Sequence, residues 1–208
     1  MSNALDTSTL TRSTLLSLIG GQAIAFFGTG LAFWWLAGRE IGAFLVFSSD
    51  GILIGVALGA GLSAIAAIGF FGWQHLTDRL VRLQAEGYGI FNTRLNLPTI
   101  IAISLCAGIG EEALFRGGMQ TFLGDYTGPW VAIAISSALF AALHLPKPII
   151  AVLVFSIGAL FGIVYWLTNS LLGVMVGHAL YDIFALWYVQ KRVIELGING
   201  QDGEPEND

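Results

Sequence analysis

The chain has 208 residues, of which 55% are hydrophobic and only 11% are charged, and its formal net charge is -5. A soluble domain usually has about 25% charged residues, so this composition excludes an ordinary soluble globular protein and indicates a chain that lies in a lipid bilayer. The sequence contains no cluster of basic residues that could neutralise phosphates, which excludes nucleic acid as a partner.

Six apolar segments are each close to the ~20 residues that a transmembrane helix needs. The segments cover 14–36 and 51–73 and then begin at Pro98, Pro129, Pro148 and Ser170. Proline is tolerated in the first turn of a helix, where its missing N–H would have no partner. The sequence therefore predicts an all-α, polytopic transmembrane helix bundle of about six spans.

The basic residues divide unevenly between the two sides of such a bundle. With the N-terminus inside, the outer side receives only Arg39, and the inner side receives Arg12, Arg79, Arg82, Arg94, Lys147, Lys191 and Arg192. The positive-inside rule thus supports this span count with both termini inside. We expect an integral protein of the bacterial inner membrane.

Three regions follow from this pattern. Residues 1–97 are predicted to be a two-span scaffold with a cytoplasmic loop, 98–192 a four-span catalytic core, and 193–208 an acidic polar tail. The loop contains HLTDRLVRLQ, whose helical spacing of apolar and charged residues predicts a helix in the membrane interface.

Glycine recurs at four-residue spacing in several spans. The stripes are Gly51, Gly55 and Gly59, then Gly158 and Gly162, then Gly173 and Gly177. Small residues at this spacing let helix backbones approach closely in lipid, so we interpret the stripes as packing surfaces.

Ionisable side chains inside the spans are confined to spans three, four and six. They are Glu111, Glu112, Arg116, His144, His178 and Asp182. Each is costly at membrane depth and normally serves a function. This segregation indicates that the first two spans are scaffold and that the other three helices surround a polar site.

The spacing of these residues suggests how they pair. Glu112 and Arg116 lie four residues apart on one helix face and can form an ion pair, for which a purely structural role is at least as good an explanation as catalysis. Glu111 points about 100° away around the helix, so we expect it to lack a local cation and to suit a general base. His178 and Asp182 are also four apart, so the carboxylate can orient the imidazole.

Two common catalytic motifs are missing from the sequence. No HExxH metalloprotease helix and no GxSxG nucleophile motif is present. Activated water remains, with a glutamate taking its proton, with or without a metal held by histidines, and a second polar group stabilising the oxyanion. This chemistry suits hydrolysis of a peptide bond.

Three motifs resemble those of the CPBP family of CAAX proteases and bacteriocin-processing enzymes, also called Abi. EEALFRG at 111–117 resembles EExxxR, FAALH at 140–144 resembles FxxxH, and HALYD at 178–182 resembles HxxxN/D. The resemblance covers about 99–189, and it depends on all three motifs occurring in this order inside apolar spans.

The resemblance implies an intramembrane endopeptidase that acts on a membrane-associated peptide or protein. By motif position, Glu111 would activate water with His144 as its partner. His178 and Asp182 would complete the site as oxyanion stabilisers or metal ligands. No cofactor is certain, although His144 and His178 could hold zinc.

The remaining motif residues have supporting roles by the same resemblance. Glu112 and Arg116 would be structural or supporting groups, and Phe140 would stand one turn before His144. Asp182 stands where the eukaryotic prenyl-protein protease has Asn, which would favour a bound cation or a charged His178.

Two other functions stay open at this point. A channel or ion-coupled transporter could use the Glu, His and Asp side chains as an ion relay, although the spans show no repeat. A non-catalytic immunity or regulatory protein could bind a peptide without cutting it.

Ideal spans would place Glu111, His178 and His144 at depths that differ by roughly 10–15 Å at 1.5 Å per residue. We therefore expect span four to begin deep in the bundle, after a re-entrant turn at GDYTGP, residues 124–129.

Overall fold

The computed structural model describes residues 11–87, 95–144 and 148–198, and every regular element within these residues is helical. The elements are α1 (Arg12–Leu36), α2 (Ser49–Gly72), α3 (Gln74–Gly87), α4 (Leu97–Glu112), a π-helical segment (Ala113–Gln120), α5 (Thr121–Thr127), α6 (Pro129–Ala142), α7 (Pro148–Thr168) and α8 (Leu171–Glu195). The predicted all-α, polytopic transmembrane bundle is confirmed.

Capping side chains explain where four of the helices begin. Thr11, Ser48, Asn96 and Ser170 each accept a hydrogen bond from the backbone N–H three residues further on. Such a bond satisfies one of the N–H groups that the first turn of a helix leaves without a partner. The starts of α1, α2, α4 and α8 are therefore encoded locally in the sequence.

Five of the six predicted spans are long and apolar enough to cross a membrane: α1, α2, the continuous helix Leu97–Thr127, α7 and α8. The predicted fourth span corresponds to α6, which has only 14 residues. At 1.5 Å per residue it is about 21 Å long and ends before His144.

The chain turns within residues 124–129, as expected. The helix continues through Thr127, and the chain reverses at Gly128, whose φ of 80° is one that glycine adopts without strain. The position of His144 also depends on the early end of α6 at Ala142, which the sequence analysis did not predict. That span four begins deep in the bundle stays a prediction.

Two of the three glycine stripes join α2 to α8. A Cβ on Gly55 would lie 2.5 Å from Val176 Cβ, and a Cβ on Gly59 would lie 2.7 Å from Leu180 Cβ. A Cβ on Gly177 would lie 2.9 Å from Leu58 Cδ2. These contacts confirm the predicted packing role, because only glycine permits backbones to approach this closely.

Helix α1 packs on the π-helical segment through glycines that the sequence analysis did not single out. A Cβ on Gly30 would collide with the carbonyl oxygen of Ala113, and a Cβ on Gly118 would lie 2.6 Å from Gly30 Cα. The backbone of α1 therefore lies directly against the segment that follows Glu112.

Helix α3 confirms the predicted helical part of the loop after α2. Val81 packs on Val189 and Val193 of α8, and the Arg192 guanidinium donates to both oxygens of Asp78 at 2.7 and 2.9 Å. These hydrogen bonds lower the pKa of Asp78 and attach α3 to the end of α8. Its position in the membrane interface stays a prediction.

The division into regions 1–97, 98–192 and 193–208 and the inside orientation of the termini also stay predictions. Arg94, Lys147 and residues 199–208 of the predicted tail lie outside the described residues.

The contact between Gly30 and Ala113 can be tested with a matched pair of substitutions on α1. We expect Gly30→Ala to destabilise the protein by about 2 kcal/mol, because its methyl group would overlap backbone that cannot move aside. Gly28→Ala is the control, since a Cβ there meets nothing within 4 Å. Thermal unfolding in detergent measures both variants. Equal melting temperatures for the two variants would contradict the packing described here.

Candidate active site

Helices α4 and α8 approach each other closely enough for their polar side chains to meet. A Cβ on Gly108 would lie 2.8 Å from the carbonyl oxygen of Met175 and 2.9 Å from the Ala179 nitrogen. Gly108 stands one turn before Glu112 on α4, and Ala179 is adjacent to His178 on α8. This glycine therefore permits the contact on which the site depends.

His178 is surrounded by three carboxylates. Its Nδ1 lies 2.8 Å from Glu112 Oε1, and its Nε2 lies 3.4 Å from Asp182 Oδ2 and 3.8 Å from Glu111 Oε2. The predicted pairing of His178 with Asp182 is confirmed. Glu111, which was expected to lack a local cation, lies beside the same imidazole as Glu112, so it has a cationic neighbour only when His178 is protonated.

The predicted ion pair between Glu112 and Arg116 is also confirmed. Arg116 Nε lies 3.3 Å from Glu112 Oε2, and both side chains are fully buried. Glu112 uses its other oxygen for His178, so this one carboxylate lies between the Arg116 guanidinium and the His178 imidazole. Its two oxygens join α4, the π-helical segment and α8.

Arg116 has two further contacts that compensate its burial. Its Nη2 donates a 2.7 Å hydrogen bond to the carbonyl oxygen of Gly158, and its guanidinium lies 4.9 Å from the centre of the Phe140 ring. A guanidinium over an aromatic face gains electrostatic stabilisation that is larger when water is excluded. Phe140, the first residue of the second motif, therefore contacts the last residue of the first motif.

His144 lies in the turn that follows α6 and hydrogen bonds through Nδ1 to the carbonyl oxygen of Phe140 at 2.9 Å. A carbonyl oxygen only accepts, so Nδ1 carries the proton, and the lone pair of the neutral ring is on Nε2. The Phe140 ring lies 4.8 Å from the His144 ring and 6.1 Å from the His178 ring. The end of the short α6 thus lies beside the third motif.

Two residues that the sequence analysis passed over also contribute to the surroundings of the site. Phe161 of α7 stacks on His178 with ring centres 5.1 Å apart, and Gln120 donates from Nε2 to the carbonyl oxygen of Gly162 at 2.9 Å. Gln120 could have been found from its position, because it is a polar residue in an apolar span, four residues beyond Arg116.

The exposure of the acidic side chains shows which side of the site is open. The Glu112 side chain is fully buried, whereas 13% of Glu111 and 24% of Asp182 are exposed. Glu111 can therefore contact a water molecule or a substrate, while Glu112 is occupied by His178 and Arg116. The arrangement combines a carboxylate that can accept a proton with an imidazole that can donate one.

The side chains do not fit the zinc site that His144 and His178 were expected to offer. Zinc binds histidine through a nitrogen lone pair, but Nδ1 of His178 is engaged with Glu112 at 2.8 Å, which leaves only Nε2 for a metal. Within residues 11–87, 95–144 and 148–198, no group of three or more His, Cys, Asp or Glu side chains is arranged to hold a metal ion.

Comparison with known proteins gives a family-model match over this part of the chain and one similar curated protein. The family model described as type II CAAX prenyl endopeptidase Rce1-like matches residues 93–184, which include all three motifs. Residues 93–184 are therefore similar to this family, and we call them the Rce1-like region. This match confirms the resemblance to the CAAX protease family that the motifs indicate.

The second match is the uncharacterized protein YpbD of Bacillus subtilis (strain 168), which is 37% identical over 100 residues. The aligned part is 46% of this chain and 48% of that protein, so the chain spans about half the length of the curated relative it matches. No solved structure matches the chain significantly.

The buried ion pair of the Rce1-like region predicts the effect of removing Arg116. Arg116→Ala leaves Glu112 buried without its cation, so we expect a loss of roughly 3–5 kcal/mol in unfolding free energy, with lower yield and activity. Arg39→Ala is the control, because Arg39 pairs with Asp125 while both side chains are partly exposed, and such pairs contribute about 0–1 kcal/mol.

Yield, monodispersity and thermal unfolding in detergent measure both variants. An Arg116→Ala protein as stable as the Arg39→Ala control would show that Arg116 acts on substrate and not in the fold.

Proposed function

We propose that this chain is an intramembrane endopeptidase of the CAAX-protease type, which hydrolyses a peptide bond of a membrane-associated substrate with activated water. The observation that carries the proposal is the meeting of the first and third motifs at one imidazole, with Glu111, Glu112 and Asp182 all within 4 Å of His178. The match of residues 93–184 to an endopeptidase family model supports the same reaction.

In this proposal Glu111 is the general base. It is the more exposed member of the glutamate pair, and its carboxylate can accept a proton from a water molecule on the open side of the site. The water oxygen attacks the carbonyl carbon of the peptide bond as the proton passes to Glu111. His144 lies within electrostatic range of Glu111 and can orient the same water through Nε2.

His178 stabilises the oxyanion of the tetrahedral intermediate. Carboxylates on both sides of the ring favour the doubly protonated imidazolium, whose Nε2–H lies beside Asp182 and can donate to a developing negative charge there. When the intermediate collapses, the C–N bond breaks, and Glu111 returns its proton to the leaving amine. Glu111 is then ionised again, and the water molecule has been divided between the new carboxyl group and the leaving amine.

The other motif residues hold this arrangement in place. Glu112 fixes Nδ1 of His178, Arg116 fixes Glu112, and Asp182 lies beside Nε2 on the open side. Phe161 covers one face of the imidazole, so rotation of the ring is restricted. Positioned groups of this kind contribute to rate by removing reorganisation from the catalytic step.

The substrate in this proposal is a peptide or protein already associated with the bilayer. The acidic groups lie within helices that cross the membrane, so a membrane-bound substrate could reach the site from lipid. We propose the bacterial inner membrane as the location, which agrees with the excess of basic residues on one predicted side.

The proposed role of Glu111 predicts the phenotype of an isosteric variant. Glu111→Gln should lower kcat about 100-fold to 10,000-fold while leaving the melting temperature nearly unchanged, because the amide has the same shape but cannot accept water's proton. Glu40→Gln is the control, since Glu40 is exposed in the loop after α1. The measurement compares the new termini of membrane peptides in cells that produce wild-type, Glu111→Gln or Glu40→Gln protein.

Termini that depend on Glu111 but not on Glu40 identify substrates for purified assays in nanodiscs. Identical termini in all three strains would favour a non-catalytic immunity or regulatory protein instead.

The contacts of His178 with the neighbouring carboxylates predict that catalysis does not depend on a metal ion. We expect purified enzyme to keep its activity after a strong chelator has removed bound metal, with metal content checked by mass spectrometry, because Nδ1 of His178 is engaged with Glu112 and its Nε2 lies beside Asp182. Loss of activity that zinc alone restores would show instead that His144 and His178 rearrange to bind it.

A further inference from the structure

Two side chains of the π-helical segment donate hydrogen bonds to the backbone of α7. Arg116 Nη2 lies 2.7 Å from the carbonyl oxygen of Gly158, and Gln120 Nε2 lies 2.9 Å from the carbonyl oxygen of Gly162. Donors and acceptors are each four residues apart, so the two bonds join matching positions on the two helices. We call them the paired hydrogen bonds.

The two glycines of α7 make room for these donors. A Cβ on Gly158 would lie 3.1 Å from Arg116 Nη2, and a Cβ on Gly162 would lie 2.7 Å from Gln120 Oε1. Any larger residue at either position would occupy the space that the side chain of its donor uses. The glycine stripe of α7 therefore does more than bring helices together, because it lets polar side chains reach main-chain carbonyls.

Gln120 is buried, with only 5% of the residue exposed, and nothing in the proposed reaction uses it. Burying an amide is unfavourable unless its groups find partners. At this position Nε2 donates to the carbonyl of Gly162, while Oε1 has no hydrogen-bond partner among the described residues. Leucine or methionine would fill the same volume in an apolar span without this requirement. The choice of glutamine is thus accounted for by the hydrogen bond and not by packing.

We propose that Gln120 is a positioning residue for the proposed active site, because its hydrogen bond to Gly162 fixes the π-helical segment against α7. This inference rests on the proposed function only where activity is measured. Arg116 belongs to the same segment, so the position of the segment sets where its guanidinium meets Glu112. Glu112 in turn holds Nδ1 of His178.

A small displacement of the segment would therefore reach the catalytic imidazole through Arg116 and Glu112. A misplacement of about 1 Å outside the reacting groups can lower a rate by about 100-fold. Gln120 does not contact the proposed substrate side, where Glu111 and Asp182 are exposed. Its loss should thus lower kcat with little change in KM.

The experiment breaks the hydrogen bond from each side. Gln120→Met removes the donor at nearly constant volume, and Gly162→Ala places a methyl group where the Gln120 amide lies. We expect each variant to lower kcat about tenfold, with KM within about twofold of wild type. Gln190→Met is the matched control, since Gln190 is equally buried but its amide has no hydrogen-bond partner among the described residues.

A second measurement does not depend on activity. The chain has three histidines, so in protein labelled with ¹⁵N-histidine the Nδ1–H resonance of His178 can be assigned by its loss in His178→Gln. Gln120→Met and Gly162→Ala should shift this resonance, while Gln190→Met should leave it in place. If Gln120 is purely structural, its substitution should change thermal stability without shifting the His178 resonance.

The outcomes separate the two proposals. Wild-type kcat in both Gln120→Met and Gly162→Ala, or an unmoved His178 resonance, would overturn the positioning role. If Gln120→Met does not fold, kcat and the His178 resonance of Gly162→Ala test the positioning role instead. A wild-type chain that cleaves nothing would contradict the proposed function, and the resonance would then decide the role of Gln120 alone.

Discussion

The buried carboxylate of Glu112 is the group on which the rest of the site depends. It accepts a hydrogen bond from His178 and pairs with Arg116, so it joins side chains from two other parts of the chain. In a bilayer neither side chain could be buried without such a partner, because water cannot replace it. The three side chains are therefore stable only together, and this makes the relative position of α4 and α8 a condition for folding.

Glycine makes this polar cluster compatible with an apolar bundle. Gly108 brings the backbone of α4 against α8, and Gly158 opens a carbonyl of α7 to Arg116. Without these close approaches the ionisable groups would lie too far apart to satisfy one another. Packing by small residues thus supplies the short distances that the buried ionisable groups require.

The sequence predicted those parts of the structure that depend on local spacing. The helices follow from hydropathy and caps, and the Glu112–Arg116 and His178–Asp182 contacts follow from the four-residue repeat of a helix. It did not predict that Glu112 and Glu111 share His178, because this depends on how α4 is rotated against α8. The early end of α6 was also not predicted, because the apolar run continues through Leu143 although the helix ends at Ala142.

The π-helical segment lets the continuous helix Leu97–Thr127 pack in the bundle and also place polar side chains near the site. Its wider turn begins at Ala113, directly after Glu112. Gly30 of α1 packs against the carbonyl oxygen of Ala113. Such segments are rare and are often found at functional sites, where they redirect the side chains that follow. Here the redirected side chains are Arg116 and Gln120, which both reach carbonyls of α7. The irregular backbone is therefore held on one side by α1 and on the other by α7, and the glutamates that precede it are held with it.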